Sequence, residues 1–395
     1  LRGLGGGPTT QILVVVDAAP DVQGIFGHPM PDLYLPALVE RVEVVAGGDS
    51  VRFGTNALGG VIRIETRFRE APGAEAHVRA GGGRYGAYRF SGAALARRGP
   101  LAISGALTLR GAQPGFRPGA GGSLAHGQLA ARAELGRRTR LEVHGRLARL
   151  AGADPGPIDF PTPERTFEAL RSNLSARLRH RDGPVELRGV AYASVGRHRF
   201  FDGFQSYDWT YGLRALGRWA PERELAFRVG LDVDHVDGTV SNRLAGTAQR
   251  VEGLTTGAAF VEGALRPVEA LVLEAGARGG VSSAFGPFGV YSFGARLEPW
   301  VGGALRARWA TNFRQPTIRE RYLPFPAANP DLEPERSGTF ELGAAHRDRR
   351  WDVTGTFFLT RATSLIRSFG VFPNAEAVNI DDVVFPGLEG RLRVR

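Results

Sequence analysis

The sequence predicts an all-β transmembrane antiparallel barrel, preceded at its N terminus by a small compact unit. Three observations carry this reading. From about residue 71 onward, segment after segment alternates apolar and polar residues with a period of two and little helical periodicity. These segments run to about ten residues, the length of a tilted membrane strand, whereas soluble strands average about five or six. Their connections alternate between tight turns and longer stretches rich in Pro, Gly and charge, an asymmetry expected of an outer-membrane barrel.

The N-terminal unit comes first. Val39, Val42, Val44 and Val45 are interleaved with Glu40, Arg41 and Glu43, and Val61, Ile62 and Ile64 with Arg63 and Glu65. Both runs read as strands with one wet face. Gly47, Gly48, Gly54, Gly59 and Gly60 lie between or beside them, where tight turning or close packing is needed. A further apolar strand is expected over residues 12–17 (ILVVVD). Residues 23–34 (QGIFGHPMPDLY) combine turn formers with aromatics, His28 and Asp32, and read as an exposed loop.

The alternating segments follow. Residues 101–109 place Leu101, Ile103, Leu107 and Leu109 on one face, and segments at 141–147, 170–178, 185–195, 225–233, 271–277, 290–297, 305–313, 340–344 and 351–359 repeat the theme. Trp209, Tyr211, Leu213, Ala215, Gly217 and Trp219 share a face. At about 3.3 Å per residue and a tilt of about 40°, the two tryptophans stand roughly 25 Å apart, the height of the apolar band between aromatic girdles. A soluble sandwich would need a second layer over nearly every such face, and no helical pattern supplies one. The opposite faces carry Arg132, Glu134, Arg177, Arg188, Arg228, Asp232, Asp234, Arg306 and Arg308. An Arg facing lipid at mid-depth costs roughly 2–4 kcal/mol, so these are expected to face the lumen, with Glu40, Arg41, Glu43, Arg63 and Glu65 as natural partners on the N-terminal unit. Fifteen or sixteen strands can be counted.

Composition excludes several alternatives. There is no Cys, which removes disulfides, thiolate metal sites and a Cys nucleophile. No Lys occurs, so all 50 basic residues are Arg. The net charge of +10 is spread along the chain and reads as coding bias rather than a nucleic-acid surface. No apolar run is long enough for a transmembrane helix, and no signal peptide opens the sequence. Residues 81–86 (GGGRYG) fit a dinucleotide fingerprint, but an alternating strand follows where a helix is required, so a hairpin connection is expected. His235 neighbours Asp232, Asp234 and Asp237, a spacing that reads as a solvated rim rather than a metal site. No nucleophile–base–oxyanion set can be assembled, so no enzyme, catalytic residue or cofactor is expected.

Residues 40–67 (ERVEVVAGGDSVRFGTNALGGVIRIETR) resemble the second half of the plug domain of TonB-dependent outer-membrane receptors, and residues 12–17 and 1–5 (LRGLG) match the runs that precede it. The family usually has Gly-Pro where this chain has Gly47-Gly48, and Asp-Gly where it has Asp17-Ala18. Residues 313–320 (FRQPTIRE) and 329–337 (NPDLEPERS) resemble two boxes of the same receptors, in which a barrel strand enters a long outer loop and returns. Heme-transporting members carry a His between the boxes. None occurs here over residues 315–330, which argues against heme.

The resemblance implies a small α+β plug inside the barrel, with residues 1–69 a partial plug and 70–395 a partial barrel, both ends being truncated or the gene a remnant. It implies a monomer in the outer membrane of a Gram-negative bacterium, in contact with membrane lipid. Its action would be the import of a scarce small-molecule metal chelate, driven by the TonB complex, whose usual contact segment would lie before Leu1. The expected ligand contacts are Phe26, His28, Met30 and Asp32 on one apical loop and Arg52, Phe53, Thr55 and Asn56 on the other. Aromatics with Arg suit an anionic ferric siderophore; cobalamin stays open. Two rivals remain at this point: a passive porin-like barrel without a folded plug, and a soluble all-β binding protein, which salt or carbonate rather than detergent would release.

Overall fold

The computed structural model describes the chain apart from residues 1, 3, 5–9, 31–33, 35, 324–327, 371–375, 381 and 395. The N-terminal unit is a four-stranded sheet of β1 (Ile12–Val16), β2 (Ala19–Pro20), β3 (Val39–Ala46) and β4 (Gly60–Thr66), in the order β2-β1-β4-β3. β1 is a near-continuous apolar run because it lies inside the sheet, parallel to β4, with both faces covered. Leu13, Val15, Ala57 and Val61 form its core, with Val22, Val45 and Phe53 packed on them.

β3 departs from expectation. It is the edge strand, and Val42 and Val44, read as its dry side, are each 54% exposed. Alternation reports a face but not whether anything covers it. The plug charges also behave differently from the reading of sequence. Arg63 pairs with Glu43 at 2.7 Å and Glu65 at 3.4 Å, and Arg41 with Glu65 at 3.1 Å. These four residues satisfy one another across the antiparallel β3–β4 pair, where cross-strand neighbours stand closest.

Among the described residues, sixteen long strands from Gly73–Gly82 to Val383–Val394 close a barrel around this sheet, and a short strand, Thr247–Arg250, extends the outer end of Leu225–Asn242. The long strands reach up to 18 residues and rise beyond the membrane on the long-loop side. Outward faces are apolar: Tyr211, Leu213, Val229 and Leu231 are 51%, 64%, 55% and 62% exposed. Trp219 stacks on Phe227 at the short-turn end. Inward faces carry buried charge, including Arg132, Glu142, Arg171 and Asp232. Residues 83–86 are the hairpin connection expected, with Gly83 N–H donating to Ala87 O and Tyr85 at φ +61°. No helix among the described residues is long and apolar enough to cross a membrane. The two α-helices among the described residues are one or two turns: α1 (Ser50–Phe53) in the plug and α2 (Ile318–Tyr322) in an outer loop.

Candidate functional site at the plug apex

Two plug loops meet beneath the long-loop mouth of the barrel. The first, after β2, folds on itself: Gln23 N–H donates to His28 O at 3.0 Å, and Gly27 N–H to Gln23 O at 2.6 Å. Gly27 has φ +69°, and a Cβ there would stand 2.1 Å from Thr317 Cγ2, so both backbone and space demand glycine. The tip is docked. Ile25 is fully buried with Val251, Ile318 and Leu323 from the outer loops, and its carbonyl accepts the Arg319 N–H at 2.9 Å. Gly24 N–H donates to the buried Asp208, which is also held by Arg171 at 2.8 Å.

The second loop is α1 and the turn after it. Ser50 N–H donates to Asn312 Oδ1 at 3.1 Å, and Val51 packs on Val290 and Phe313 of the wall. Asn56, at φ +67°, donates to Gly27 O at 3.1 Å and so ties the two loops together.

The expected contacts therefore divide. Phe26 is half-buried with its ring edge on His198 at 4.8 Å. His28 is half-buried beside it, and Met30 packs on Leu124 and Ala148. Asp32 lies outside the described residues. Thr55 accepts the Gln315 N–H at 3.0 Å. The structure brings Phe26, His28, Thr55 and Asn56 together around Gly27. Arg52 and Phe53 lie elsewhere: Arg52 is bidentate to Glu262 of the wall at 2.9 and 3.1 Å, and Phe53 packs into the plug core.

Burial sets the electrostatics. It holds the His28 imidazole below its ordinary value, with Arg319 and Arg171 acting the same way against the Pro29 carbonyl. It pushes Asp49 up despite Arg52 and Arg308. It works to raise Asp21 too, but Arg146 and Arg171 outweigh it and hold that carboxyl low. The apex thus combines polar and aromatic groups, with the buried Arg171 and Arg146 behind them committed to Asp208 and Asp21.

Beside it lies a buried knot. Arg314 contacts Glu335 at 2.6 Å and Glu320 at 2.9 Å, Gln11 of the plug donates to both Glu335 oxygens at 3.1 Å, and Ile366 N–H donates to Glu335 at 2.8 Å. Glu320 also closes a capping box with Thr317 on α2. The two boxes noted in the sequence are therefore the anchor of an outer loop on the plug. The T-x-x-E spacing over residues 317–320 was a readable signal for α2, whereas nothing in the pattern pointed to Asp208, Arg171 or Gln11. Among the described residues no group of three or more His, Asp or Glu converges as a metal site.

Residues 80–395 match the family model described as TonB dependent receptor-like, beta-barrel, and residues 1–61 match the TonB-dependent Receptor Plug Domain. The vitamin B12 transporter BtuB of Photobacterium profundum is 24% identical over 334 residues, covering 80% of this chain and 53% of that protein. The chain thus spans about half the length of this curated relative. The siderophore receptor PirA from Pseudomonas aeruginosa superposes with a TM-score of 0.81 at 18% identity, over 98% of this chain and 75% of that one. The copper transporter OprC gives 0.83 at 13% identity, over 99% and 69%. At such identities these likenesses establish the fold.

Proposed function

The chain belongs to the TonB-dependent receptor family, and from that premise we propose that it acts as a ligand-gated importer of an anionic metal chelate, a ferric siderophore above all. Receptors of this family sit in the outer membrane of Gram-negative bacteria, and so does this chain. The single observation that supports import over passive diffusion is the docked apex. Ile25, Gly27 and Asn56 seat the plug loops against the wall and the outer loops, which closes the lumen on the side where ligand arrives. A porin leaves an aqueous channel open.

In this reading the ligand settles on the surface around Phe26 and His28, bordered by Arg319. The energised TonB complex then displaces the plug, and no covalent step occurs in the protein. Guanidinium groups suit an anionic chelate because they pair with oxygen acceptors in a fixed fork. Cobalamin is the second reading, favoured by the match to BtuB. Growth of a deletion strain on single iron sources or on cobalamin separates the two. Loss of growth on one ferric chelate, restored by the intact gene, supports the first. Loss of cobalamin use alone overturns it.

A further inference from the structure

We propose that the outside of the barrel carries a binding site for a bisphosphorylated glycolipid of the outer leaflet, built on Arg149, Arg197 and Arg199. The wall is apolar where it crosses hydrocarbon: Leu147, Leu174, Val195 and Leu213 point outward and are 55%, 58%, 54% and 64% exposed. Residues of the same parity nearer the long-loop end share that face. Across the four strands from Thr139–Ala153 to Phe204–Trp219, the register sets two rows there. One runs Arg149, Leu170, Arg197, Tyr207, and the next Ala151, Glu168, Arg199, Gln205. Both rows lie immediately beyond Trp209, which pairs with Val195.

Three guanidinium groups and one carboxylate thus occupy two adjacent rows on the lipid side, at headgroup depth, where an outward Arg is tolerated best. Glu168 accepts from Arg149 at 2.7 Å and from Arg197. Arg199 donates to Gln205 at 3.1 Å. One carboxylate fixes two guanidinium groups in position but cannot use up their five donors each, and the patch keeps two uncompensated positive charges. Arg149 and Arg197 stand two strand spacings apart, about 10 Å, far enough to engage separate phosphates.

At the rim above the second row a cleft of about 490 Å3 is lined by Glu168, Arg199 and Phe201 on the outward side, by Phe167 and Phe200 on the inward side, and by Arg243. Phe201 is 48% exposed and Arg165 lies over its ring. A phosphorylated sugar head finds basic and aromatic walls in this cleft, while its acyl chains continue down the Leu174 surface. Charge, depth and the adjoining cleft select an anionic amphiphile over a zwitterionic one.

The test is native mass spectrometry of the whole chain in detergent with added lipid A, its dephosphorylated form, or phosphatidylcholine. The triple variant Arg149→Gln, Arg197→Gln, Arg199→Gln is expected to retain lipid A at an occupancy lower by about tenfold. The pair Arg137→Gln, Arg138→Gln, in the tight turn at the opposite rim, is expected to retain it fully. Should the triple variant fail the heat-modifiable gel shift that reports a folded barrel, Arg199→Gln alone decides. Among the described residues Arg199 donates to the neutral Gln205 and pairs with no carboxylate, and the change is expected to lower occupancy about threefold. Equal retention by variant and parent, equal retention of the dephosphorylated lipid, or displacement of lipid A by inorganic phosphate at matched concentration would each overturn the proposal.

Discussion

The plug meets the barrel in two contrasting ways. At the outer mouth the contact is dry and close. Ile25 is fully buried, Gly24 and Gly27 bring backbone against wall and loop, and Val51 packs on Phe313. On the opposite side the edge strand β3 faces a cavity of about 730 Å3 lined by Val44, Ala46, Arg2, Arg306, Glu341 and Glu389. There Arg2 bridges plug to wall through Glu341 and Glu389, both at 2.9 Å. The contrast teaches where the seal resides. Buried apolar area and steric fit hold the apex, whereas on the inner side Arg2 holds one buried partner, Glu341, and one half in water, Glu389, beside the cavity, and a water-exposed pair contributes little. A plug held this way is weakest on its inner side, where it already has open space beside β3.

The largest test of that asymmetry is Gly27→Val. A side chain there must leave a φ of +69° and push Thr317 aside, together a cost of about 4 kcal/mol. The first loop is expected to undock, seen as protease cleavage of residues 23–30 in the folded barrel and a rise in ion conductance in planar bilayers. A sealed, protected variant would show that the apex is not the seal. Next comes a matched pair. Ile25→Ala is expected to cost about 3 kcal/mol of plug docking, while Val44→Ala on the exposed edge should change it by under about 0.5 kcal/mol. Hydrogen exchange of the β1 and β4 amides reads both. Equal effects would erase the distinction between the two sides.

Much of the wall was legible in sequence and little of the apex was. Alternation with the two tryptophans gave the outward face of strand Phe204–Trp219, and the turn and loop lengths gave the two rims. That follows from a period of two, which reports the face of a residue wherever one side is hydrocarbon. The same pattern says nothing about azimuth. Gly24 and Asp208 are 184 residues apart, Ser50 and Asn312 are 262 apart, and no local signal joins them. Arg52 read as a ligand contact by residue type and loop position, yet Glu262, 210 residues away, occupies it. Val42 and Val44 failed for a different reason: a strand at the sheet edge beside a cavity keeps its apolar residues uncovered.

A smaller effect sharpens the apex through pH. Burial holds the His28 pKa below its ordinary value, with Arg319 and Arg171 adding to it. The docked loop therefore resists a proton that the undocked loop accepts. The stability difference is absent well above the free value of about 6.5 and grows unfavourable as pH falls through it. Undocking should increase on mild acidification, measured by exchange at residues 23–30, and His28→Gln should flatten that dependence. A loop whose protection rises on acidification would reverse the sign and sink the assignment.

The smallest effect belongs to the wet side. Glu389 is 47% exposed in its side chain, and Arg2, at 5%, keeps Glu341 when Glu389 is gone. An ion pair with one partner in water is screened and typically contributes about 0.5 kcal/mol. Glu389→Gln should therefore leave plug protection nearly unchanged at physiological salt, with its small deficit vanishing as added salt shortens the screening length. The same salt series applied to Ile25→Ala should leave its larger deficit in place, because apolar burial is not screened. If instead Glu389→Gln loosened the plug as much as Ile25→Ala, the inner side would carry a share of the seal that water-exposed charges cannot supply, and the division between a dry apex and a wet base would have to be abandoned.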